Sequence, residues 1–64
     1  MTHYKVMKDS MQLGAIVYKP AMNGWYFINK LPHGGNSRKG HATPEAAILP
    51  RIKRIMTHLV EVND

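Results

Sequence analysis

The sequence predicts an α+β domain: a three-stranded antiparallel sheet followed by one long, proline-kinked C-terminal helix packed on one sheet face, in the order β-β-β-α. Three observations carry this. Two β-branched and aromatic runs, Ala15-Ile16-Val17-Tyr18 and Trp25-Tyr26-Phe27-Ile28, flank an Asn23-Gly24 dipeptide. A Thr43-Pro44-Glu45 triplet opens the last third of the chain. Beyond it, apolar residues recur at spacings of four and three.

Tyr4-Lys5-Val6-Met7 reads as a short first strand, and Asp9-Ser10 as a turn in which both side chains can bond nearby backbone. Leu13 to Lys19 is the strongest strand, being rich in residues that fit a pleated surface. Pro20 ends it by removing a ladder donor. Asn23-Gly24 tolerates positive φ, so the third strand returns as a hairpin with a loop of about five residues. Alternation puts Leu13, Ala15 and Val17 on one face and Ile16 and Tyr18 on the other, while Trp25 and Phe27 oppose Tyr26 and Ile28.

Residues 32–42 then form a basic, glycine-rich loop, with room for a short edge strand near Lys39 to Ala42. In the helix, Thr43 caps free amides, Pro44 suits the first helical position and Glu45 complements the positive end of the dipole. Ile48, Ile52, Ile55, Leu59 and Val62 make one apolar stripe, widened by Leu49, Met56 and Val60. Arg51, Lys53, Arg54 and His58 fall on the polar side. Pro50 interrupts the helix, predicting a kink or a break, since an interior proline removes a hydrogen bond and clashes with the preceding turn.

Sixty-four residues make one domain, 1–64, with a thin core. There is no cysteine, which excludes disulfides and thiolate metal sites and fits a reducing compartment. No apolar run approaches the ~20 residues of a membrane span, and Met1 to Lys5 lacks a signal-peptide core, so a cytoplasmic protein without a membrane partner is expected.

Catalysis is not expected. The carboxylates Asp9, Glu45, Glu61 and Asp64 are scattered, and Ser10 and Ser37 sit in turn contexts without a base–nucleophile–stabiliser arrangement. Of His3, His33, His41 and His58, only the middle two share a loop, and no spacing recruits a third ligand, so no metal or other cofactor is expected. Gly34 to Gly40 does not match a nucleotide-binding loop.

Nine Lys and Arg stand against four Asp and Glu, a formal net charge of +5. A field of that sign raises encounter rates with polyanions. Lys30, Arg38, Lys39, Arg51, Lys53 and Arg54 form a candidate positive stripe, with Tyr26 as a stacking residue. This predicts electrostatic binding of nucleic acid, DNA rather than RNA, with modest sequence preference. The alternative is a protein-interaction module, a homodimer or an inhibitor docking on a host protein, through an edge strand or an apolar sheet face carrying Ile16, Tyr18, Tyr26 and Ile28.

Two resemblances add to this reading. Gly14-Ala15-Ile16-Val17-Tyr18, Gly24-Trp25-Tyr26-Phe27 and the opening Met1-Thr2-His3 resemble small uncharacterised proteins of lambdoid phages and prophages, over the first half of the chain. That resemblance implies a phage accessory protein in a host cytoplasm. The layout of three strands and a helix, with Asn23-Gly24-Trp25-Tyr26 before a basic loop and Thr43-Pro44-Glu45-Ala46-Ala47 at the helix start, looks like the arm-type DNA-binding domain of tyrosine integrases and the plant AP2 domain. It implies a sheet that enters the major groove, with Lys5, Lys19, Tyr26, Lys30, Arg38 and Lys39 as contacts. The chain departs from those families at its central strand, which carries Ile16 and Tyr18 where they carry Arg and Lys.

Overall fold

A computed structural model describes residues 2–32, 34–52 and 57–63, with 49–52 described by their backbone. The elements run β1 (Thr2–Lys8), β2 (Met11–Lys19), a 3-10 turn (Pro20–Met22), β3 (Gly24–Asn29), α1 (Pro44–Ile52) and β4 (His58–Asn63). All strand pairs are antiparallel, in the spatial order β3-β2-β1-β4.

The two hairpins form where the turn residues allow them. Asp9 joins β1 to β2 at φ 54°, and Asn23 precedes β3 at φ 54°, both in the left-handed region that Asp and Asn tolerate best among non-glycine residues. The Asn23 N–H donates to the Pro20 carbonyl at 3.0 Å, which closes the second turn.

One irregularity shapes the core. Val6 faces Gly14 while the next residue, Met7, faces Gln12, so Leu13 is the extra residue of a bulge. Strict alternation would put Leu13 on the face of Ala15 and Val17. The bulge instead lets it join the core, where it is buried with Val6, Ile16, Phe27, Ala47 and Ile48. Gly14 sits in the same row as Asn29 and two pairs from Phe27 on the same face, and its missing side chain makes room for the Phe27 ring.

The helix begins as its residues dictate. The Ala46 N–H donates to Thr43 Oγ1 at 3.1 Å, and Glu45 lies in the first turn. Ala47 and Ile48 drive into the sheet face that carries Val6, Ile16 and Phe27. Tyr4, Trp25, Leu31 and Leu59 pack around that cluster.

The outer edge of β3 is closed by the loop that follows it. Trp25 and His41 exchange two backbone hydrogen bonds of 2.7 Å, and the Ser37 N–H donates to the Phe27 carbonyl at 3.0 Å. In return, the Phe27 N–H donates to Ser37 Oγ at 3.0 Å, and the Asn29 N–H to Asn36 Oδ1 at 2.8 Å. The edge strand expected near Lys39 to Ala42 is thus a single bridge at His41.

The expected three-stranded sheet with a long C-terminal helix is not what forms. The sheet has a fourth strand, and the helix is short, ending at Ile52 just after Pro50. Leu59, Val60 and Val62 fit a helical stripe, but they sit in β4, where Leu59 faces Val6, Val60 faces Lys5 and Val62 faces His3. The reason is tertiary: β1 has an unpaired edge beside β2, and backbone pairing there, with Leu59 added to the core, outweighs a weak helical periodicity. Ile55 and Met56, also assigned to the stripe, lie outside the described residues.

Candidate binding face of the sheet

The pairing register sorts the sheet residues into two faces. Thr2, Tyr4 and Val6, with Gly14, Ile16 and Tyr18, Trp25 and Phe27, and Leu59, Glu61 and Asn63, share the helix side. The opposite face carries His3, Lys5 and Met7 from β1, Gln12, Ala15, Val17 and Lys19 from β2, Tyr26 and Ile28 from β3, and His58, Val60 and Val62 from β4. No element among the described residues packs on this second face.

Apart from Lys5, its centre is apolar. Ile28, Ala15, Lys5 and Val60 form one continuous row across all four strands, and Tyr26 stands beside Val17 in the next. Val60 is 41 % exposed, whereas Ala15, Val17, Tyr26 and Ile28 shield one another and are half-buried. Cationic groups punctuate the surface. Lys5 projects from the middle, and Lys19 Nζ lies 4.6 Å from the centre of the Tyr26 ring, within cation–π range. The imidazoles of His3 and His58 lie on the same face.

The described carboxylates are all elsewhere. Asp9 is in the first tight turn and Glu45 in the first turn of α1. Glu61 faces Tyr4 on the helix side, where its Oε2 accepts from Asn63 Nδ2 at 3.1 Å, and Asn63 Oδ1 accepts from Thr2 Oγ1 at 2.6 Å. The open face therefore joins two lysines, two histidines and an aromatic ring to an apolar floor, with no described acid among them.

The residues expected to bind nucleic acid separate into three groups. Tyr26 is on the open face. Lys30, at the end of β3, and Arg38 and Lys39, in the loop along its outer edge, are exposed on the flank of the sheet. Arg51 belongs to the last turn of α1, and Lys53 and Arg54 lie outside the described residues. The expected polar helix face joining Arg51 to His58 does not exist as such, because His58 opens β4 and stands opposite Met7.

The alternative patch divides as well. Tyr26 and Ile28 share the open face, but Ile16 is fully buried under the helix. Tyr18 is 42 % exposed yet on the helix side, where its ring meets Trp25 edge-on at 5.6 Å; Tyr4 meets the same indole at 5.5 Å. The central strand's outward residues are thus Gln12, Ala15, Val17 and Lys19, so Ile16 and Tyr18 do not obstruct the sheet surface.

His3, Val60 and Val62 were not among the expected site residues. The alternation of His58, Val60 and Val62 is visible in the sequence, but Leu59, Val60 and Val62 fit a helical stripe equally well.

Among the described residues, no three His, Cys, Asp or Glu side chains gather as a metal group. No helix among them is long and apolar enough to cross a membrane. Ser37, one of the two serines, is engaged in closing the β3 edge. No family model, curated protein or solved structure matches the chain.

Proposed function

We propose that the chain is a small phage or mobile-element accessory protein that acts in the host cytoplasm and binds nucleic acid across the open face of its sheet. Phosphates are held by Lys5 and Lys19, and Tyr26 offers a ring on which a base stacks. The observation that carries this reading is the segregation of charge. Lys5, Lys19, His3 and His58 share a face with Tyr26 that carries none of the described carboxylates. An aromatic ring beside cations on a sheet is a sequence-tolerant platform for a nucleic-acid strand. Lys30, Arg38 and Lys39 extend the positive surface along the β3 flank and add phosphate contacts.

The test is fluorescence anisotropy with labelled single- and double-stranded oligonucleotides across a salt series. The parent chain should bind more weakly as salt rises. Lys5→Glu/Lys19→Glu should lower affinity at low salt by at least about tenfold and flatten the salt dependence by roughly one contact per lysine removed. A double variant that binds as tightly as the parent at low salt sinks the reading.

The apolar floor of Ala15, Val17, Ile28 and Val62 supports a second reading, docking of the same face on an acidic host protein. Absence of any salt-dependent oligonucleotide binding by the parent would favour it.

A further inference from the structure

The two edges of the sheet differ. The outer edge of β3 is closed by the chain's own 36–41 segment at Trp25, Phe27 and Asn29. The outer edge of β4 has no backbone partner among the described residues. β4 carries a single charged side chain, Glu61; its sequence His58-Leu59-Val60-Glu61-Val62-Asn63 has no proline and no lysine, and its register with β1 has no bulge that would twist the edge away. An exposed valine sits near its midpoint.

We infer that β4 pairs antiparallel with β4 of a second copy, about a two-fold axis through Val60. The sequence of the strand selects this register. Two chains related by such an axis place Val60 against Val60, His58 against Val62 and Leu59 against Glu61, so no two like charges stand directly opposite. An axis through Glu61 sets carboxylate against carboxylate. An axis through Leu59 leaves only the segment from His58 to Val60 of the strand in the ladder. The Val60 axis keeps His58 to Val62 paired and brings two β-branched side chains together at its centre, a favourable cross-strand pair. That self-complementarity commits the edge to a second copy rather than to an unrelated extended peptide. The axis is perpendicular to the sheet, so the two open faces lie on the same side and form one continuous surface.

The experiment measures the mass of the full chain in solution by light scattering over a concentration series, without nucleic acid, so its result is independent of the binding proposal. The parent should pass from one chain to two as concentration rises. Val60→Lys, a substitution that edge strands accept, should remain a single chain with an unchanged far-ultraviolet circular dichroism spectrum. Because the chain has no cysteine, a single introduced thiol gives an independent readout. Val60→Cys should oxidise to a covalent pair much faster than Met11→Cys, whose thiol would sit at an exposed site by the first hairpin turn. A parent that stays a single chain at every concentration overturns the inference. So does a pair that survives Val60→Lys, or crosslinking at Val60→Cys no faster than at Met11→Cys. Should Val60→Lys lose its fold, the two cysteine variants decide the question.

Discussion

At Gly14 a missing side chain organises the centre of the sheet. A Cβ there would stand 2.6 Å from Phe27 Cε1 and would also press on the Ile28 carbonyl, part of the β3 backbone. Neither neighbour can retreat, since Phe27 is buried and Ile28 is held in the β2–β3 ladder. Gly14→Ala should therefore destabilise the fold by about 1–3 kcal/mol, as overpacking does, although alanine is ordinarily better than glycine within a strand. Urea unfolding followed by tryptophan fluorescence measures it, and an unchanged midpoint would contradict the packing described. Thr43 is the opposite case: its capping bond to Ala46 is a local event between close neighbours, and the local sequence is enough to predict it.

At the scale of elements, the decisive segment is 58–63. Its residues have both periodicities, three-four and two, and only the edge of β1 chooses between them. β4 supplies Leu59 to the core and pairs with β1 from Thr2 to Met7. A chain truncated before Thr57 should consequently fail to show a cooperative thermal transition by circular dichroism, because β1 becomes an open edge and the core loses one side. A truncated chain that melts as sharply as the parent would mean that three strands and the helix suffice. The loop at 36–41 plays the corresponding part at the other edge. There the contribution comes from Asn36, Ser37 and His41, polar residues whose backbone and side-chain groups satisfy β3.

For the whole molecule, one small cluster holds sheet and helix together. Ile48 is fully buried and, with Ala47, is the helix's link to Val6, Leu13, Ile16 and Phe27. Ile48→Ala should cost about 2–5 kcal/mol. A domain of this size has a total stability of only about 3–10 kcal/mol, so the variant should be partly unfolded at moderate temperature. Calorimetry showing a loss below about 1 kcal/mol would mean that the helix is not anchored there. The proposed function depends on the same division of faces. Core formation claims one side of the sheet, and Lys5 of β1 and Lys19 of β2 are left with Tyr26 on the other.

By itself the sequence determined the first three strands, both hairpin turns, the capped start of the helix and the basic balance of the chain. These rest on interactions between residues a few positions apart: an Asp or Asn that accepts positive φ, a threonine beside free amides, a run of β-branched side chains. The tertiary structure alone decided the bulge at Leu13, the fourth strand and the composition of the open face. Each of these compares distant segments, β1 with β4 or Gly14 with Phe27. Lys5, Lys19, Tyr26 and Val60 come to share one face only once the register aligns them, and register is set by which residues the core buries. A one-residue slip of any strand would turn its members of that face toward the helix.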